Sequence, residues 1–180
     1  MWTILKNSFF KGLLTEKRVL PDIPPCPEIE GVGRELKKTI LSLYGRSLHL
    51  REVDTGSCGA CESEIVALSN PIYDIQRFGI DFVASPRHAD ALVVTGALSR
   101  NMVLALKKTY DAMPGPKFVI TVGDCAMDGG AFGDSYYRAR QGVQDIVGGA
   151  ILHIPGCPPS PEQILSALLG FLQTRPPKER

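Results

Sequence analysis

From Ser47 onward, short apolar runs alternate with segments of helical periodicity. Leu48-His49-Leu50-Arg51-Glu52-Val53 alternates as a strand with two unlike faces does. Ala91-Leu92-Val93-Val94-Thr95 and Phe118-Val119-Ile120-Thr121-Val122 are continuous apolar runs, which suit strands buried on both faces. The pattern predicts helices over residues 62–68, 102–112 and 162–172. The last opens after Ser160-Pro161, an N-cap followed by proline at the first helical position. This βα alternation predicts a parallel sheet with helices on both faces, an α/β fold of the flavodoxin-like kind, whose functional loops gather at the carboxyl ends of the strands.

The first 46 residues read differently. Trp2, Leu5, Phe9 and Leu13 recur at spacings of three and four, which aligns them on one face of a short amphipathic helix. Pro21-Asp22-Ile23-Pro24-Pro25-Cys26-Pro27 follows, where prolines remove backbone donors and hold an extended path. The chain therefore divides into residues 1–46, a helix and proline-rich connector that either dock on partners or pack locally, and residues 47–180, the α/β domain.

Composition narrows the class. With 44% hydrophobic residues the chain builds a packed core, and a formal charge of +1 carries no nucleic-acid signal. No window approaches the apolar length of a membrane span. Residues 1–20 are interrupted by Lys6, Asn7, Lys11 and Glu16 and lack the apolar core of a signal peptide. These readings lead to an expectation of a cytoplasmic, soluble or peripheral protein.

Four of the five cysteines fall in three glycine-bearing turns: Cys58-Gly59-Ala60-Cys61, Gly123-Asp124-Cys125 and Pro155-Gly156-Cys157-Pro158-Pro159. One turn can aim Cys58 and Cys61 at a common centre, and only a tertiary fold can bring Cys125 and Cys157 to them. Thiolates are soft ligands that select zinc, copper(I) or iron-sulfur clusters, and four of them complete a structural zinc site or a 4Fe-4S cluster. A zinc ribbon normally shows a second close pair, which is missing here. Glycine also lets backbone N–H groups approach sulfur, a lever on cluster potential. Spacing thus favours the cluster, with zinc, and disulfides or unlinked core cysteines, as the other readings. Cys26, inside the proline run, is expected to stand outside the ligand set.

Three stretches carry a family resemblance: Asp54-Thr55-Gly56-Ser57-Cys58-Gly59-Ala60-Cys61-Glu62-Ser63-Glu64-Ile65, Gly123-Asp124-Cys125-Ala126-Met127-Asp128-Gly129-Gly130, and Ile154-Pro155-Gly156-Cys157-Pro158-Pro159-Ser160-Pro161-Glu162. Together, over about residues 48–172, they resemble the small subunit of membrane-bound, energy-converting nickel-iron hydrogenases, the group that includes formate hydrogenlyase. The B-type subunit of respiratory complex I is similar at the second and third stretches. Its first motif, however, has two adjacent cysteines, whereas here Ala60 stands beside Cys61 and Cys58 lies two positions earlier. The resemblance implies one 4Fe-4S cluster, proximal to a partner's active site, on Cys58, Cys61, Cys125 and Cys157. It also implies a large subunit holding the nickel-iron centre, ferredoxin-like and membrane-arm subunits as further partners, and a place on the cytoplasmic side of the membrane. A B-type subunit of a quinone oxidoreductase and a structural four-cysteine metal domain are the alternatives.

Glu64 has two readings. A carboxylate at the start of a helix ordinarily offsets the positive helix end. The resembled family carries a glutamate at this place, which implies a proton relay; Glu62 is the weaker candidate. His88 and His153, near expected strand ends, are read as packed or surface residues. Arg138 and Arg140 are read either as offsetting charge near the cluster or pairing at a subunit interface, or as simple surface residues.

Overall fold

The structure is a computed structural model that describes residues 27–148 and 151–175. The expected N-terminal helix, the proline run up to Cys26, and Cys26 itself lie outside the described residues. Five parallel strands form one sheet in the order β2-β1-β3-β4-β5: β1 Leu48–Asp54, β2 Ile80–Phe82, β3 Ala91–Thr95, β4 Phe118–Val122 and β5 Ile151–Ile154. This is the flavodoxin-like order, with the switch point between β1 and β3. β3 and β4, the two continuous apolar runs, are central strands with every residue buried.

Because side chains alternate across the sheet, each strand feeds two cores. Leu48, Leu50, Ala91, Val93, Phe118 and Ile120 face one hydrophobic cluster. It is closed by helices α1 (Pro27–Tyr44), α2 (Ala60–Ala67) and α6 (Pro161–Gln173). Val53, Leu92, Val94 and Val119 face the other, closed by α3 (Val103–Ala112) and the short α5 (Val143–Ile146). Asp124–Asp128 forms a short α-helical turn, α4, directly after β4.

α1 has no counterpart in the sequence reading, which leaves those residues in the N-terminal segment. Ile29, Leu36, Ile40 and Leu43 lie on one face of it and are buried, and α1 packs against α6. Ion pairing holds it further: Glu30 pairs with Arg77 of the 3-10 turn Ile75–Phe78. At the other end Arg46 reaches Asp90, just before β3, through two 2.9 Å bonds; Asp90 also accepts the His49 N–H at 3.1 Å. That buried carboxylate ties the amino ends of β1 and β3 together.

α6 opens as the sequence predicts. The Ser160 hydroxyl accepts the Gln163 N–H, the Gln163 side chain accepts the Ser160 N–H, and Pro161 takes the first position. This capping box satisfies two otherwise orphaned donors. Among the described residues no helix is long and apolar enough to cross a membrane.

Candidate metal centre

All four motif cysteines sit just past the carboxyl ends of strands: Cys58 and Cys61 after β1, Cys125 after β4, Cys157 after β5. The β1 turn is set by Asp54, whose carboxylate accepts the N–H groups of Gly56 and Ser57 at 2.8 Å each. Buried Thr55 anchors it from below, its hydroxyl donating to the carbonyls of Thr95 and Gly96. Cys61 then falls on the first turn of α2 and is buried, while Cys58 stays exposed in the turn.

The other two turns are locked to each other. Asp124 N–H donates to Gly156 O at 3.0 Å, and Gly156 N–H donates to the Asp124 carboxylate at 2.8 Å. Gly123 is where all three turns meet. Its φ of +84° is accessible to glycine, and a Cβ there would stand 2.5 Å from Cys61 Sγ and 3.3 Å from Gly156 O. Gly130 plays the same part behind Cys125, where a Cβ would stand 2.9 Å from the sulfur. Any larger residue at either place would displace a thiol.

Electrostatics show that the four sulfurs share one neighbourhood. Burial pushes the Cys61 thiol up to about 11, and the charges of Glu62, Cys125, Cys58 and Cys157 push the same way. Cys125 is raised, first by burial and then by Cys157 and Cys58, against a hydrogen bond from the Ala131 N–H that favours its thiolate. None of the four is joined in a disulfide. Raised in this way, the Cys61 and Cys125 thiols stay protonated near neutral pH, and a metal that took them as thiolates would release those protons. Among the described residues no three His, Cys, Asp or Glu side chains converge as a single metal ion requires. The donor chemistry and the glycine cradle fit an iron-sulfur cluster held from three turns.

The structure separates the two glutamates. Glu62 lies in the first turn of α2, and Glu64 lies beyond it, half-buried. The helix-end charge role expected for Glu64 thus falls to Glu62, which also acts electrostatically on Cys61. Both Glu62 carboxylate oxygens are shut from solvent without a hydrogen-bond partner among the described residues. Sequence reasoning missed Glu52. Burial raises its carboxyl above the usual range, Glu62 and Asp54 add to this, and Arg51 opposes it. Strand alternation hides such a residue, since a glutamate in a half-polar strand reads as solvent-facing.

His88 is exposed in the turn before β3, its carbonyl meeting the His49 ring. His153 is half-buried in β5, its Nδ1 3.1 Å from the Thr121 hydroxyl. Both are packing or surface residues in this structure. Arg138 is half-buried beside Gly129 and donates to Gly133 O at 3.2 Å, and Arg140 is exposed.

Comparison with known proteins bears on this geometry. Formate hydrogenlyase subunit 7 of Escherichia coli is 39% identical over 156 residues, covering 85% of this chain and 60% of that protein. A probable membrane-bound hydrogenase subunit of Pyrococcus furiosus is 39% identical over 143 residues, covering 78% of this chain and 84% of its own. A chain in the membrane-bound sulfane sulfur reductase, an archaeal respiratory membrane complex, superimposes with a TM-score of 0.61 at 29% identity, over 71% of this chain and 70% of that one. These relatives are subunits of oxidoreductase complexes. The model of the NADH ubiquinone oxidoreductase 20 kDa subunit matches residues 58–171, from the first motif cysteine to α6, and the chain belongs to that family.

Proposed function

We propose that this chain is the electron-transfer small subunit of a membrane-bound oxidoreductase complex of the hydrogenase type. Cys58, Cys61, Cys125 and Cys157 hold one 4Fe-4S cluster in this reading, which stores and passes one electron at a time when bound. The observation that carries it is the meeting of three cysteine turns at Gly123, with a thiol packed where a Cβ would stand.

The chain's own residues have definite parts. Gly123 and Gly130 bring backbone against sulfur, the Ala131 N–H favours the Cys125 thiolate, and burial keeps water from Cys61. Cys58 and Cys157 are exposed at the sheet edge, so a partner must cover that edge. The Cys58-x-x-Cys61 spacing, with Ala60 beside Cys61, favours a large subunit carrying a nickel-iron centre, proximal to this cluster. Ferredoxin-like and membrane-arm subunits complete the assembly, on the cytoplasmic side of the membrane, with the segment before α1 docking on them. The matched family itself supports a second reading, a B-type subunit of a quinone oxidoreductase. Glu64 belongs to this proposal as a proton relay beside the centre.

Anaerobic purification with iron, sulfide and zinc analysis and EPR tests the assignment. The expected result is about four irons and four sulfides per chain, with the signal lost in each single Cys→Ser variant at positions 58, 61, 125 and 157 and kept in Cys26→Ser. One zinc per chain, or equal loss from Cys26→Ser, would overturn it.

A further inference from the structure

The loop after the second cysteine turn carries a surface that the cluster itself does not explain. Tyr136 is 85% exposed, and Met127, two positions past Cys125, is 43% exposed. Three arginines border them. Ala139 turns inward, 7% exposed, with its N–H on Leu98 O; of its neighbours Arg140 is exposed and Arg138 is half-buried, its guanidinium donating to Gly133 O. Arg100 is fastened alongside: its N–H donates to Tyr137 O and its Nε to Arg138 O at 3.3 Å. Among the described residues none of the three arginines has a carboxylate in ion-pair range; of the exposed carboxylates between Cys125 and Arg140, Asp128 accepts the Gly130 N–H and Asp134 is the other.

Two features set this surface apart from ordinary solvated charge. The first is rigidity. Tyr137 packs between Phe132 and Tyr136, at 6.2 and 6.5 Å between ring centres, Ser99 and Arg138 form a bridge, and a Cβ on Gly129 would stand 2.6 Å from Arg138 Nε. An aromatic held in place beside Met and Arg has the composition of a binding hot spot. The second is continuity with the metal centre. Gly129 backs Arg138 and its neighbour Gly130 backs Cys125, so one glycine pair separates the arginine patch from a cluster ligand.

We propose that Met127, Tyr136, Arg100, Arg138 and Arg140 form the docking surface for the catalytic large subunit, which meets the arginines with carboxylates around a pocket for Tyr136. This rests on the electron-transfer reading above: an electron relay must touch its redox partner, and this patch adjoins the exposed edge where that contact has to form. A lipid surface could neutralise the arginines but could not take the electron.

The test uses the full chain, tagged and purified anaerobically with its complex, in Arg100→Glu/Arg140→Glu and Tyr136→Ser forms. Lys37→Glu, an exposed charge reversal on α1, is the control. Each preparation is read for iron and EPR signal on this chain, and for the large subunit retained, identified by mass spectrometry and metal content. The double reversal should retain roughly tenfold less large subunit than wild type, since like charges then face each other. Tyr136→Ser should lose several-fold, Lys37→Glu should match wild type, and iron per chain should stay unchanged in all. Wild-type retention in both patch variants would overturn the proposal. So would retention of the large subunit with loss of binding to phosphatidylglycerol vesicles, which would make the patch a lipid site. Absence of the iron-sulfur signal from the wild-type chain is a separate result that sinks the cluster assignment.

Discussion

At the scale of single residues, the carboxylates around α2 have unlike parts. Glu52 is the one whose ionisation opposes folding, because burial and then Glu62 and Asp54 raise its carboxyl. A raised carboxyl favours the protonated form in the folded state. The stability it gives is therefore fully present below the usual carboxylate range and is lost as pH rises through the raised folded value. Glu52→Gln keeps the shape and removes that loss, so the variant should melt about 1–3 °C higher than wild type near neutral pH. The gap should close near pH 4. Thermal melts at both pH values check this, and an equal gap at both would show that the effect is packing rather than charge. Glu64 calls for a different measurement. It lies past the first turn of α2, where a charge has less of the helix end to offset. If it relays a proton, Glu64→Gln should slow hydrogen turnover in the assembled complex while the cluster's EPR spectrum and the melting temperature hold. Wild-type turnover would remove it from the proton path.

The elements show what makes a fold legible. β3 and β4 could be read because a strand buried on both faces is apolar without interruption, and α6 because Ser160, Pro161 and Gln163 state its start in local chemistry. The cysteine turns were legible because metal chemistry restricts them to one residue type. α1 was not read, although Ile29, Leu36, Ile40 and Leu43 keep a helical period. The proline run before it reads as a connector, and nothing local tells a helix that docks on its own sheet from one that docks elsewhere. β2 is three residues long, too short to show a period, and pairs only through the register of Leu48, His49 and Leu50 with Ile80, Asp81 and Phe82. The meeting at Gly123 was out of reach as well, since it depends on how three distant turns close. The helix that was missed should matter energetically. Leu36 is fully buried between α1 and the sheet, and Leu36→Ala should cost about 2–5 kcal/mol in chemical denaturation. A cost below about 0.5 kcal/mol, the level of surface changes, would mean that α1 is not part of this core.

For the whole molecule, the proposed metal centre and the hydrophobic cores are nearly separate. Of the four motif cysteines only Cys61 belongs to a buried hydrophobic cluster, and the other three stand in turns past the strand ends. The two cores on either face of the sheet contain most of the buried apolar residues, and burial is the dominant favourable term in folding. The turns are different. They are held by a few hydrogen bonds, such as the Asp124–Gly156 pair, and without a cation the raised Cys61 and Cys125 thiols stay protonated and pull nothing together. Local stability is therefore lowest at the ligand turns, and such regions open well below the global unfolding free energy. Under the proposed cluster assignment, stripping iron with a chelator under anaerobic conditions should leave the sheet folded and loosen only these turns. Hydrogen exchange followed by mass spectrometry should show protection lost over residues 55–61, 123–133 and 155–159, with β3, β4 and α6 protected as in the loaded chain. Loss of protection throughout β3 and β4 would mean that the cluster is a condition of folding, as structural zinc is in small metal-dependent domains, and that the two cores cannot hold the sheet without it.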